Sequence, residues 1–326
     1  MNLSVTGVGL VAPGVRGARD LVLTDAPDPA EADRDWFDPV LHLGPRGWKY
    51  MTPATRYLLA AANAATGRSP GEKPPHAHDA TRLGVCAGTH HSIGAMHARL
   101  DRTIREQGPA GLSPAELPGF SVNMPASQLA ISMACRAFSV TLTNPVVGGL
   151  DAVLFAMSAL RRGRADRVLA TATEDACAAA GTLGGAAALM LDIDADQGSP
   201  QLTGGLSRFV PRAAHGGWEP AALTTAADRI AALGAGEHTV RYAFCGSAVA
   251  APVDESVQKA FAAAGIALRT TAFTGGDARF GTVSALLQLA GLLEEPGPGL
   301  VVAVSDDGHL AAVTLLGAAR GGPARA

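Results

Sequence analysis

The stretch TLTNPVVGGLDAVLFAMSAL, Thr141 to Leu160, decides the class of fold. A β-rich apolar run over Phe138–Thr143 stops at Asn144-Pro145, and two valines and a pair of glycines follow. An apolar run too long for a strand then begins, so the pattern predicts a strand, a sharp turn and a helix. The helix is apolar nearly all round, which places it between two layers rather than at a surface. In many α/β enzymes the turn of such a junction carries the nucleophile. Here Asn144, Pro145, Val146, Val147, Gly148 and Gly149 offer no side chain able to attack a substrate.

Upstream and downstream, helical patterns alternate with apolar strands, which implies α/β layering with buried sheets. Strands are expected at Leu3–Val11, Arg82–Cys86, Arg167–Thr173, Gly185–Asp192, Leu202–Val210, Thr239–Cys245, Leu300–Val304 and Leu310–Leu316. Thr52-Pro53 predicts a helix N-terminus with proline at the first position, and Ser113-Pro114-Ala115-Glu116 has the form of a capping box. The opening segment also repeats. Shifted by 132 positions, Gly149–Asp175 lies on Gly281–Asp307 without a gap. Gly149/Gly281, Leu154/Leu286, Leu160/Leu292 and Asp175/Asp307 are identical, and each copy ends in an acidic pair, Glu174-Asp175 or Asp306-Asp307. An apolar strand follows each copy. The repeat predicts two duplicated halves, 1–200 and 201–326, in one pseudo-symmetric body.

The composition narrows the function. The chain has 326 residues, 48% hydrophobic and 17% charged, with a net charge of −3, which argues against a nucleic-acid-binding protein. No run of 18 residues is apolar enough to span a membrane, and the N-terminus lacks the basic n-region of a signal peptide. Cys86, Cys135, Cys177 and Cys245 are scattered, without a CxxC, as expected of reduced thiols in a cytoplasmic protein. Gly7-Val8-Gly9 follows a strand but lacks the helix a dinucleotide fingerprint needs. Asp192–Gly198 resembles a calcium loop, but its glycine is misplaced and Thr203 stands where a bidentate glutamate belongs; a solvated turn is expected. His90, His91 and His97 do not share a metal-binding face, and His76 and His78 fall in a proline-rich loop. No metal and no cofactor is expected. Arg161, Arg162, Arg164 and Arg167 crowd a helix C-terminus, where cations suit the dipole; a docking patch for an acidic partner is the alternative. Cys245 ends a strand before Gly246-Ser247 with no basic neighbour, the pattern of a structural thiol more than a nucleophile.

In order along the chain, VTGVGLVAP (Val5–Pro13), GPRGWKYMTPATRYLLAAANAA (Gly44–Ala65), RLGVCAGT (Arg82–Thr89), GLSPAELPGFSVNMPASQLAI (Gly111–Ile131), Thr141–Asp175 and GGAAALMLD (Gly184–Asp192) resemble the β-ketoacyl synthases, the condensing enzymes of fatty-acid and polyketide synthesis. The resemblance implies a thiolase-like fold, layered αβαβα from the two halves. It also locates the family's catalytic positions. Anchored on Gly149-Leu150-Asp151, the catalytic cysteine falls on Val146. The first histidine falls on Cys245, and the second on Gly275, or Gly276 with a one-residue slip. The gating Gly-Phe-Gly-Gly turn corresponds to Ser305–His309. The segment between Thr173 and Gly184 is much shorter than the family's.

With those identities missing, the resemblance points to a chain-length-factor-like subunit that pairs with an active ketosynthase, or with itself, and serves an acyl carrier protein. Asn123, Met124 and Pro125 are expected near the interface, and Asn144, Pro145, Val146 and Val147 at the relic site or tunnel. Two alternatives remain. One is a stand-alone acyl-transfer or decarboxylating enzyme using Cys245 with His309 or Asp277. The other is a scaffold that holds a carrier protein on Arg161, Arg162, Arg164 and Arg167.

Overall fold

The computed structural model describes residues 2–15, 17–18, 36–72, 81–177, 181–193, 198–214, 216–270 and 278–317. In chain order the elements are β1 (Leu3–Val11), α1 (Pro39–Leu43), α2 (Pro53–Thr66), β2 (Leu83–Gly88), α3 (Gly94–Gln107), α4 (Met124–Ser132), β3 (Phe138–Leu142), α5 (Gly148–Arg161), β4 (Arg167–Glu174) and β5 (Gly185–Asp192). There follow β6 (Gln201–Phe209), α6 (Pro220–Leu233), β7 (Thr239–Cys245), α7 (Ala251–Ala263), β8 (Ala267–Thr270), α8 (Ser284–Leu293), β9 (Gly297–Val304) and β10 (His309–Gly317).

Local chemistry sets several boundaries. Thr52 caps α2 by accepting from Thr55 N at 3.3 Å, Pro53 opens the helix, and Gly67 closes it in the left-handed region at φ 67°. The Ser113–Glu116 pattern forms no such cap. Only a four-residue 3₁₀ turn, Leu117–Phe120, follows it, and the Glu116 carboxylate turns to Arg99 at 2.7 Å instead. A single turn cannot repay helix nucleation.

The strands form a ten-stranded sheet in the order β3-β2-β4-β5-β1-β6-β10-β9-β7-β8. Read inward from either end, the two groups of five run in the same sequence of positions. β2 pairs in parallel with β3 and β4, and β7 in parallel with β8 and β9. The groups join where Leu3 and Ser4 meet Leu202 and Gln201.

Three apolar clusters give the layers. The first packs α2 and α4 on the outer face of the β1–β5 group. The second packs α6 and α7 on the outer face of the β6–β10 group. The third fills the middle with α5 and α8, and every residue of α8 is buried. Each such leucine contributes about 1.5–3 kcal/mol by leaving water, so α8 is held by the sheets rather than by its own propensity. The architecture is αβαβα.

Close packing explains the glycines of β1. A Cβ on Gly7 would lie 1.8 Å from Ala65 O, and one on Gly9 1.9 Å from Ala61 O. These glycines admit α2 against the strand, and no helix starts at them to receive a phosphate.

Candidate functional site

The junction between β3 and α5 carries a backbone outlier. Val146 sits at φ +60°, in the left-handed region that a β-branched side chain strongly disfavours. Around it, Gly148 N donates to Asn144 O at 3.0 Å, and Asn144 Nδ2 donates to Asp151 Oδ2 at 2.8 Å. Val147 is fully buried and Val146 half-buried against the central core. The start of α5 also needs its small residues. A Cβ on Gly88 would lie 2.3 Å from Gly148 O, and one on Gly149 would lie 2.2 Å from Thr282 O.

Beside this turn lies a buried carboxylate. Glu174, at the end of β4, is fully buried. Its oxygens accept from His90 N at 2.9 Å, His91 N at 2.6 Å, Thr282 N at 3.3 Å and the Thr282 hydroxyl at 2.8 Å. Burial pushes its pKa up, and these donors oppose the shift. Gly281, at φ 54°, leaves room: a Cβ there would lie 3.1 Å from Glu174 Oε1. His90 Nδ1 reaches Thr143 O at 3.0 Å, so the loop after β2 rests on the junction. Burial, then the neighbouring His90, lowers the pKa of His91. Burial raises Asp175 to about 6.

On the C-terminal half, Cys245 is fully buried, and burial pushes its thiol up to about 12, opposed in part by the Ser284 hydroxyl. Ser284 opens α8, two residues after Thr282. The ends of β4 and β7 therefore meet at the start of α8. Ser247 Oγ donates to Asp306 Oδ1 at 2.5 Å, and the Ser305 hydroxyl donates to Asp307. His309 Nε2 lies 3.9 Å from Asp307 Oδ2.

Asn144–Val147, Cys245 and the Ser305–His309 turn are thus gathered at one end of the central helices. Gly275, Gly276 and Asp277 lie outside the described residues, as do His76, His78 and most of the Asp192–Gly198 loop. Asn123, Met124 and Pro125 open α4, which packs on α2 and borders β3, a strand paired on one side only among the described residues. Ile131 of α4 is 69% exposed. The arginines lie elsewhere. Arg161 ends α5, some 20 Å from the junction at 1.5 Å per residue, and donates to Thr203 O at 3.2 Å. Arg164 stacks on Phe138 at 5.5 Å. Among the described residues, no group of three or more His, Cys, Asp or Glu is placed to hold a metal, and no helix is long and apolar enough to cross a membrane.

Sequence reasoning saw Glu174 only as half of an acidic pair, and His90 and His91 only as candidate metal ligands. Thr282 gave no signal of its own, because its partner is 108 residues away.

The model of the β-ketoacyl synthase N-terminal domain matches residues 24–200, more than half of the chain. The chain belongs to the β-ketoacyl synthase family. A curated relative, 3-oxoacyl-[acyl-carrier-protein] synthase 2 of Rhizobium meliloti (strain 1021), is 29% identical over 142 residues, covering 43% of this chain. The matches span 32% and 42% of the length of two curated synthases. Among solved structures, the ishigamide ketosynthase/chain length factor superposes with a TM-score of 0.74 at 20% identity, over 98% of this chain and 100% of that one. A type II polyketide synthase acyl carrier protein in complex with its ketosynthase bound to the hexaketide gives 0.76 at 18% identity, over 97% and 99%. At these identities the likeness is one of fold, and the fold of this β-ketoacyl synthase relative is thiolase-like.

Proposed function

We propose that this chain is a ketosynthase-like subunit without condensing activity of its own, acting as a chain length factor beside an active ketosynthase. The observation that carries this reading is Val146 at φ +60°. The position aligned with the family's catalytic cysteine keeps a strained turn, which costs about 1–2 kcal/mol for an L-residue, yet carries no nucleophile. The two halves, 1–200 and 201–326, are read as duplicated units, in keeping with the mirrored strand order. Asn123–Pro125 and β3, the outermost strand of the described sheet on that side, are the proposed interface with the ketosynthase. Asn144–Val147 are the proposed tunnel wall. An acyl carrier protein is the proposed second partner.

The buried thiol of Cys245 does not favour the stand-alone enzyme: a pKa near 12 leaves almost no thiolate at neutral pH. The deciding experiment is co-expression with ketosynthases from the same source, followed by size exclusion. A one-to-one complex is expected. Absence of any complex, together with rapid iodoacetamide labelling of Cys245, would overturn the reading.

A further inference from the structure

The outer helices of the second half end side by side without a cation of their own. α6 leads into β7 and α7 into β8, and these strands are parallel, so both helix C-termini lie at the same end of the sheet. A helix C-terminus carries partial negative charge and favours a nearby cation. Arg161 supplies one in the last turn of α5, whereas neither α6 nor α7 has a basic residue there. A surface cavity of about 670 Å³ opens between the two ends. Ala232, Ala235 and Gly236 form one wall, and Ala260, Ala263 and Gly265 the other. Asp228 and Glu237 add two exposed carboxylates, and no lysine or arginine lines the cavity. Neither carboxylate has an ion-pair or hydrogen-bond partner among the described residues.

A second cavity, of about 160 Å³, adjoins the first and shares Ala235 and Glu237 with it. Leu315 and Leu316, near the end of β10, line it. The two cavities make one groove that runs from the end of β10 to the end of α7. Past β10 the sequence continues as AARGGPARA, residues 318–326, which lie outside the described residues. Apart from Pro323 and two arginines its residues are alanine and glycine, which suit a close approach to an alanine and glycine wall. Nine extended residues span about 30 Å, and packed helices lie about 8–10 Å apart, so the segment is long enough to cross both helix ends. Its two charged side chains are positive, opposite to the two in the groove.

We infer that residues 318–326 lie along this groove, with Arg320 and Arg325 against Glu237 and Asp228 at the negative ends of α6 and α7. The segment ties the outer helix pair to β10. β3 stands at the opposite end of the strand order from β7 and β8, so this contact does not depend on the pairing proposed with a ketosynthase.

Arg320 and Arg325 are trypsin sites, which gives a direct readout on the full chain. Cleavage after Arg320, followed by intact mass, is expected to be about fivefold faster in Asp228→Asn/Glu237→Gln than in the wild type, since cleavage tracks the population of the released segment. About 1 M salt, where charges are screened within about 3 Å, is expected to speed the wild type likewise. Glu255→Gln, at an exposed carboxylate of α7 that does not line the groove, is expected to leave the rate unchanged. Hydrogen exchange over 231–238 and 260–266 is expected to quicken in Asp228→Arg/Glu237→Arg and in Arg320→Glu/Arg325→Glu, and to return to the wild-type rate when all four changes are combined. Thermal unfolding checks that each variant folds. Equal cleavage of the wild type and Asp228→Asn/Glu237→Gln overturns the proposal, as does a combined variant that still exchanges fast. Protection that falls on dilution assigns the groove to the segment of a second copy and overturns docking within one chain. None of these outcomes bears on the ketosynthase complex, which size exclusion judges separately.

Discussion

Glu174 and Asp175 close the first copy of the repeat inside the protein, while Asp306 and Asp307 close the second copy at its surface. Glu174 gathers four donors from two distant segments, the loop after β2 and the start of α8. Asp306 and Asp307 bond to Ser247 and Ser305 with water at hand. Acidic residues at the same repeat position therefore do different work. A buried carboxylate is tolerable only when its acceptors are filled, and Glu174 meets that condition by tying the two halves together at the junction. The exposed pair needs no such frame.

Breaking the buried member is the strongest test of this contrast. Glu174→Ala leaves the His90 and His91 amides and both Thr282 donors without their acceptor. Its expected cost is about 3–5 kcal/mol, since each stranded buried group costs about 1–3 kcal/mol and the losses overlap. Asp306→Ala is expected to change stability by less than about 0.5 kcal/mol. Urea denaturation of both variants checks the pair. Similar costs for the two would erase the difference between the copies.

Asp175→Asn sharpens the comparison in the opposite direction. Asp175 is raised by burial from 3.8 to about 6, so the folded state holds its proton more tightly than the unfolded chain does. That contribution is fully present below about pH 3.8 and is lost as pH rises through about 6. Near neutral pH the ionised side chain costs stability. Asparagine can still accept from Ala176 N and carries no charge, so the variant is expected to gain on the order of 2 kcal/mol near neutral pH. The decline in stability between those two pKa values should flatten. A urea series across that range measures it, and an unchanged slope would show that Asp175 is solvated.

Thr282→Val removes the hydroxyl that donates to Glu174 at 2.8 Å while keeping the shape of the side chain. Glu174 retains three backbone donors, so the expected loss is about 1–2 kcal/mol. Hydrogen exchange at His90 and His91 should rise if the carboxylate relaxes.

How much of this was legible depends on the range of the physics involved. The buried helix α5, the strands β5 and β7, and the Thr52 cap were readable because periodicity and capping act within a few residues. The repeat was readable because identity survives at fixed spacing. The four-residue edge strand β8 and the helix α1 were missed, since neither has a buried face to leave a pattern. The Glu174 cluster was hidden because its partners come from positions 84 and 108 residues away. The reach of the Arg161–Arg167 group was hidden too. Its charge was plain, but only the direction of α5 shows that it lies at the far end from the junction.

The two halves also enter their central helices differently. Gly281 takes φ 54° ahead of α8, where glycine bears no penalty, whereas Val146 takes φ +60° ahead of α5. Val146→Gly takes the β-branched side chain off that left-handed position. It releases about 1–2 kcal/mol of backbone strain. It also gives up a half-buried side chain worth about 1 kcal/mol and adds freedom to the unfolded chain. The terms nearly cancel, so the expected change is within about 1 kcal/mol of wild type. Val147 sits at φ −79° and is fully buried, so Val147→Gly has no strain to release and should cost about 3 kcal/mol. Urea denaturation of the two neighbours separates strain from packing. An equal, large loss at Val146 would mean that its side chain, rather than its backbone, is what the turn preserves.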